Sequence, residues 1–443
     1  MTSLRTHYWP LGKSWKYLEA TCPSLSHHLA SGYCKKKRLQ EFDTECRKFL
    51  RAITSASEQT TNDFFYADRR VGGLGAFKIS DEADIWTFAR ATQLLSSQDP
   101  TIVSIFRVQL LQTIKKGFRR ENQPSSIPEA AYLAGSTENG IYRMRHGHDP
   151  ATTLWFLARD AARWLKARVD ISSDWDIYIV ANDVRVQPCK VVKGLHTAVR
   201  KHRTGQFISI SHQGAVAAAF ATETHPPKDI ARLISCRTTL SHIDWPLPSQ
   251  ARLDILPLRG YPWALFDSKQ CRRCHYGDET TSHVLNSCRH NLENYYRRHH
   301  AIRDKLDSLL RRTGINATVN RRLPEMDLSG RIRRPDLEFE LQKLIANSRI
   351  MIDVNVAHDR KDDTEAAYQR KIDGYSSFGI IKPLVIGSLG FWHLKNDEIR
   401  SIIGINHNLW TKLRRAARTI AIEHSMEIIH DHISTSCHLS NPQ

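Results

Sequence analysis

Between residues 271 and 290 the chain reads CRRCHYGDETTSHVLNSCRH, so its cysteines and histidine fall as C-x2-C-x8-H-x4-C. No other feature narrows the fold so far. A tetrahedral zinc ion takes two ligands from a tight C-x2-C knuckle, whose backbone amides point at the thiolates, and two more from H-x4-C. Four protein ligands leave no open coordination position, so Cys271, Cys274, His283 and Cys288 predict a structural rather than a catalytic zinc site. In so small a module the metal supplies folding energy, on the order of 10–16 kcal/mol in isolated zinc-finger peptides. His275 and His290 lie close enough in sequence to stand in for a ligand, and the bland alternative is three buried thiols beside a chance histidine. Nine cysteines without even spacing do not suggest a disulfide framework; the cluster suits a reducing compartment.

What surrounds the knuckle decides its use. The chain has 443 residues, enough for several cores, and 64 lysines and arginines against 46 acids give a formal charge of +18. Such an excess favours a polyanionic partner, most often nucleic acid, over a neutral small substrate. No apolar leader follows MTSLRTHYWP and no run approaches the ~18 apolar residues of a membrane span. The expectation is a soluble intracellular protein with no membrane partner.

Helical periodicity dominates residues 1–125. LQEFDTECRKFLRAI puts Leu39, Phe42, Cys46, Phe49 and Leu50 on one face, and further helices are predicted around Trp86–Leu95 and from Ile102 to Phe118. VGGLGAF lacks the lysine of a phosphate loop and reads as a turn. Residues 126–250 are harder to read: WDIYIVANDVRV alternates like a strand, ISISHQGAVAAAF suggests strand then helix, and KVVKGLHTAVRKHRTG is a basic run. After the knuckle, NLENYYRRHHAIRDKLDSLLRR predicts a helix with Leu292, Tyr295, Tyr296, His299, Ile302, Leu306 and Leu309 on its apolar face. Arg297, Arg298 and Arg303 would then face a nucleic acid. PDLEFEL, SRIMIDVNVAH and KPLVIGSLGF read as strands, DDTEAAYQRKIDGYSSF and residues 408–433 as helices, together an α/β domain. The tail histidines His424, His430, His432 and His438, with Cys437, read as a solvated helix end.

Asp336 opens the first of these strands, and Asp353 sits between Ile352 and Val354 in the next. An aspartate flanked by apolar residues in a strand needs a charged partner. Two such carboxylates on adjacent strands could hold Mg²⁺, which activates water and stabilises a leaving oxygen in phosphodiester hydrolysis. The usual PD…(D/E)xK nuclease pattern places its lysine two residues after the second acid, where this chain has Asn355; Lys371, on the following helix with Glu365 and Tyr375, is the candidate substitute.

As a set these motifs resemble one family. The knuckle with ET…HVLN inside it, the RRHH…IRDKL helix, PD, DVNV and AAYQRKIDGY are similar to the C-terminal part of the polyprotein of type-2 non-LTR retrotransposons. ARLDILPLRG resembles the lead-in to that knuckle, and FFYADRRVGGLGAFKISDEADIWTFARATQLLSSQDP the thumb that follows the family's reverse transcriptase palm. The likeness spans most of the chain and is weakest between residues 126 and 230. It implies a multidomain protein: a helical thumb-like region (1–125), a linker of unclear fold (126–250), the CCHC knuckle with its basic helix (251–312) and a restriction-like PD-(D/E)xK-type endonuclease (313–443). Carried over, Asp336 and Asp353 would bind the catalytic Mg²⁺, Lys371 would be the catalytic lysine, and Tyr375 the family's aromatic on that helix. The implied activity is nicking of target DNA for reverse transcription of element RNA, in the nucleus, with a separate reverse transcriptase chain as a further partner. Two departures stand out. The family's Arg/Lys-His-Asp triplet is Arg298-His299-His300 here, and the polymerase palm with its paired aspartates is absent from the sequence given. They leave a second expectation open, a nucleic-acid-binding zinc protein without catalysis.

Overall fold

The computed structural model describes residues 28–29, 35–54, 56–120, 128–134, 142–144, 153–172, 174–181, 183–223, 246–261, 263, 266–327, 330–341 and 348–434. Two compact units form. One lies within Met1–Ile53, Phe65–Asp68 and Gly75–Gln206, the other within Thr54–Phe64, Arg69–Leu74 and Phe207–Gln443. These units cut across the four-part division expected from sequence: part of the presumed linker joins the helices before it, and the knuckle shares a unit with the strands after it.

In the first unit, α1 (Lys36–Thr54) buries only part of the predicted face: Leu50 is buried and Leu39 and Cys46 are half-buried. Phe42 and Phe49 are 49% and 45% exposed, whereas Asp43 is 2% exposed. The reason lies at the start of α2 (Ile79–Leu95), whose first amides have no intrahelical acceptor. The Asp43 carboxylate accepts the N–H groups of Ile79 and Ser80 at 2.8 and 3.1 Å and turns its helix accordingly. Helices α3 (Pro100–Gly117), α4 (Pro128–Leu133) and α5 (Leu154–Leu165) follow, with β1 (Phe118–Arg120) and β2 (Tyr142–Met144) paired antiparallel. Thr153 caps α5 by accepting the Phe156 N–H. An antiparallel meander of β3 (Ala167–Ile171), β4 (Ile177–Ala181) and β5 (Val184–Val186) comes next, its tight turn carrying Asp183 at a φ of +60° that aspartate tolerates. With α6 (Val191–Ile208), these elements enclose one core around Phe88, Leu95, Leu110, Tyr132, Trp155 and Ile179. The predicted strand in ISISHQ does not form; a turn leads directly into α7 (Ala215–Ala221).

The second unit continues through α8 (Pro246–Arg252), α9 (Thr281–Asn286) and α10 (Leu292–Arg312) to a four-stranded mixed sheet. Its order is β6 (Thr318–Val319), β7 (Leu337–Leu341), β8 (Ser348–Ala357), β9 (Ile380–Gly387). β7 runs antiparallel to β8, while β9 runs parallel to it after the crossover helix α11 (Lys361–Tyr375). Helices α12 (Asn396–Ile403) and α13 (His407–Ser434) complete the unit. The two-residue period of β8 sorts its side chains. Ile350, Ile352 and Val354 join a core with Ile302 and Leu306 of α10 and Trp410, Leu413 and Ala417 of α13. Met351 and Ala357 pack on the opposite face with Tyr375 and Ala367 of α11. Asp353 shares that second face, so the fold aims it at α11 rather than into the larger core.

Candidate metal centre and carboxylate site

The knuckle is built by local backbone geometry. His275 and Gly277 take positive φ values of +53° and +80°, which bring the Cys271 N–H to the Gly277 carbonyl at 3.0 Å. The Tyr276 N–H donates to the Cys274 sulfur at 3.4 Å, as a C-x2-C turn requires. Thr280 then caps α9 by accepting the His283 N–H, and this short helix carries His283 back over the turn. The Cys288 N–H donates to the His283 carbonyl at 2.8 Å and brings in the last thiol. The ligand atoms of Cys271, Cys274, His283 and Cys288 all lie within 4.8 Å of one another. His275 and His290 are exposed and belong to no such group.

The donor set fits a zinc ion on chemical grounds. Burial pushes the Cys271 thiol upward and the Cys288 thiol to about 12, while burial lowers the His283 imidazole and so favours its neutral form. Thiols so placed ionise only beside a cation, and neutral imidazole with thiolates is the ligand set zinc takes.

Two residues expected elsewhere belong to this centre. His432 is fully buried, not part of a solvated helix end, because α13 packs against the knuckle through Ile422, Met426, Ile428 and Ile429. Cys437 and His438 lie outside the described residues. The Nε2 of His432 stands 3.0 Å from Glu279 Oε1 and 3.7 Å from Cys271 Sγ. Burial pushes Glu279 up, but hydrogen bonds from His432, from the Arg272 guanidinium and from the Arg259 and Arg272 amides outweigh it and hold the carboxyl at about 2. Arg298 is the second correction. It is 2% exposed, and its guanidinium donates to Ser425 Oγ at 2.7 Å and to the Leu285 carbonyl at 2.8 Å, so it joins α10, the knuckle and α13 instead of a phosphate. Burial lowers its pKa to about 10. Arg303 is half-buried and paired with Asp304 at 2.7 Å; Arg297 is exposed.

On the sheet, Asp336 and Asp353 come together. Asp336 immediately precedes β7, and its Oδ2 accepts the Val354 N–H at 2.7 Å, which fixes it beside Asp353 across the antiparallel pair. Both are buried, at 6% and 4% exposure. Lys371 Nζ donates to Asp353 Oδ1 at 2.8 Å, and Tyr375, one turn further along α11, hydrogen-bonds the same carboxyl. His299 is the member sequence reasoning placed only in an apolar stripe and a family triplet. Its Nε2 is 3.1 Å from Asp336 Oδ2, and ligand atoms of His299, Asp336 and Asp353 lie within 4.8 Å of one another. A histidine on the apolar face predicted for α10 was the available signal. Glu365 is not part of this group; it pairs with His393 and Lys395, each at 3.0 Å.

The electrostatics separate the two acids. Burial pushes Asp353 up to about 6, partly opposed by Lys371 and reinforced by Asp336. Burial also acts on Asp336, but the hydrogen bond and charge of His299 outweigh it and bring Asp336 below the usual carboxylate range. Two carboxylates in hydrogen-bond contact both ionise readily only beside a cation, so the donor set suits a hard divalent ion such as Mg²⁺.

No protein-family model matches the chain. It is similar to two proteins of Popillia japonica, each described as "Retrovirus-related Pol polyprotein from type-1 retrotransposable element R2". One is 26% identical over 174 residues, covering 36% of this chain and 38% of the relative. The other is 25% identical over 169 residues, covering 35% of this chain and 34% of the relative. The matched stretch thus amounts to little more than a third of these curated relatives' length. The likeness supports a distant relation to retrotransposon Pol polyproteins.

Proposed function

We propose that this chain is a retrotransposon-derived endonuclease that nicks target DNA by Mg²⁺-dependent phosphodiester hydrolysis. The observation that carries the reading is the convergence of Asp336 and Asp353, on adjacent strands of the mixed sheet, with Lys371 of the crossover helix α11, as a restriction-like nuclease of the PD-(D/E)xK type would require. Asp336 and Asp353 would hold the ion, with His299 fixing Asp336. When bound, Mg²⁺ supplies an activated water and stabilises the leaving oxygen. Lys371, which pairs with Asp353, would neutralise the charge that develops on the phosphate.

Partners follow from charge and surface. A formal charge of +18 favours DNA and element RNA, and exposed aromatics beside arginines suit unpaired bases. Tyr276, 70% exposed, lies under Arg289 at 5.2 Å, and Phe266 has Arg259 and Arg272 at 5.8 and 5.9 Å. A separate reverse transcriptase chain would extend the nick, in the nucleus, from the freed 3′ end. A second reading, a zinc protein that binds nucleic acid without cutting it, is favoured by one observation: the last residue of the triplet is His300, exposed and stacked near Tyr296, rather than a carboxylate at the site.

Nicking of supercoiled plasmid by the zinc-loaded chain, in Mg²⁺ and in EDTA, tests the proposal. We expect nicking in Mg²⁺ alone, lost by at least a hundredfold in Asp353→Ala with DNA binding retained. Cleavage by Asp353→Ala at the unaltered rate would refute the active-site assignment. DNA binding with no nicking at all would select the second reading.

A further inference from the structure

We infer that His432, contributed by the last turns of α13, is a positioning residue of the knuckle: its Nε2–H, anchored on the Glu279 carboxylate, is shared with the Cys271 sulfur and fixes that ligand for the metal. This goes beyond the proposed nuclease and does not depend on it; it requires only that the knuckle hold zinc.

Three thiols face two imidazoles, those of His283 and His432, so one must be assigned as ligand and the other explained. The hydrogen-bond network makes the assignment. Asn291 is fully buried, and its Oδ1 accepts from Arg273 Nη1 at 3.2 Å, a group that only donates. Its Nδ2 donates to the Val284 carbonyl at 2.9 Å, a group that only accepts. The amide orientation is therefore fixed at both ends. Nδ2 also lies 3.3 Å from His432 Nδ1, which must accept there. The proton of the imidazole then sits on Nε2, and a doubly protonated ring would oppose one N–H to another. That single Nε2–H is shared: its shorter arm goes to Glu279 Oε1 at 3.0 Å and its longer arm to Cys271 Sγ at 3.7 Å.

A nitrogen that carries a proton offers no lone pair to a metal, so His432 cannot be the fourth ligand while this network holds. Among the described residues His283 has no carboxylate as a hydrogen-bond partner, and its Nε2 lies 3.2 Å from Cys274 Sγ. His283 coordinates and His432 supports. Outer hydrogen bonds of this kind orient a ligand and withdraw charge from it, and losing one costs typically 10–100-fold in metal affinity. Glu279 is the nearer anchor of the ring, itself held by Arg272 at 2.8 Å. Residues 161 positions apart in sequence thus meet at one sulfur.

The test uses the full chain loaded with Co²⁺, read by its sulfur-to-cobalt charge-transfer absorption, alongside zinc retention against a chelator. A thiolate that loses a hydrogen bond gives up an electron more easily. His432→Ala should therefore shift the band to longer wavelength and shorten zinc retention by 10–100-fold. His432→Gln, whose amide places an N–H near the former Nε2, should restore both; His432→Leu, which refills the volume without a donor, should restore neither. His283→Ala should lose the nitrogen ligand and weaken the tetrahedral cobalt spectrum. An unshifted band with unaltered retention in His432→Ala would reduce His432 to packing and overturn the inference. So would a four-ligand spectrum surviving in His283→Ala but not in His432→Ala. A parent chain that takes up neither cobalt nor zinc would remove the metal centre and this inference with it, while leaving the Mg²⁺ site to be judged separately.

Discussion

The opposed displacement of two neighbouring aspartates sets a pH dependence. Asp353 is raised to about 6, above the roughly 4 of an unfolded aspartate. Its contribution to stability is therefore complete below about pH 4 and is lost as pH rises through about 6. Asp336 is lowered, so its contribution is present above about pH 4 and lost on acidification below it. Between pH 4 and 6 the loss at Asp353 governs, unless a divalent cation takes the place of its proton. Thermal unfolding should show Mg²⁺ raising the melting temperature more at pH 7.5 than at pH 5.5. Asp353→Asn, which cannot ionise, should abolish both the Mg²⁺ effect and the decline between pH 4 and 6; an undiminished Mg²⁺ effect in that variant would place the ion elsewhere.

The apolar strands on either side of Asp353, the crossover helix and the long last helix were all legible from their periods of 2 and 3.6 residues. Helix faces were less so. On α1 the apolar residues Phe42 and Phe49 fall outside the buried side that Leu50 shares with Asp43, because Asp43 answers to amides 36 and 37 positions away. On α10 the buried stripe runs Arg298, Ile302, Leu306, Leu309, and an arginine's place on it depends on acceptors from α9 and α13. Charge alone assigned Arg297 and Arg298 one role; burial gives them two. Arg298→Ala should lower the unfolding free energy by ~3 kcal/mol, because a buried hydrogen-bonded charge leaves its partners unsatisfied. Arg297→Ala should stay within ~0.5 kcal/mol. Urea unfolding of the two variants would check the contrast, and equal losses would contradict it. The clustering of Cys271, Cys274, His283 and Cys288 was readable because their spacing is local; the places of His299 and His432 were not, because each meets its partners only through tertiary packing.

Across the whole molecule, an excess of 18 positive charges makes binding to any nucleic acid sensitive to salt, with log affinity falling linearly against log salt. Base stacking adds a part that salt hardly touches: Tyr276→Ala should weaken single-stranded DNA binding by ~1–3 kcal/mol and leave the salt slope unchanged. A steeper or shallower slope in that variant would mean the ring acts through its arginine neighbour instead. The last helix bears on the second unit in another way. Trp410, Leu413, Ala417 and Ala421 of α13 belong to the core beneath the sheet, and Ile422, Met426, Ile428 and Ile429 to the core beneath the knuckle. Neither core can open without fraying the same rod. Heat should therefore melt the metal module and the sheet in a single calorimetric transition, and stripping the zinc should move that one peak to lower temperature rather than split it in two.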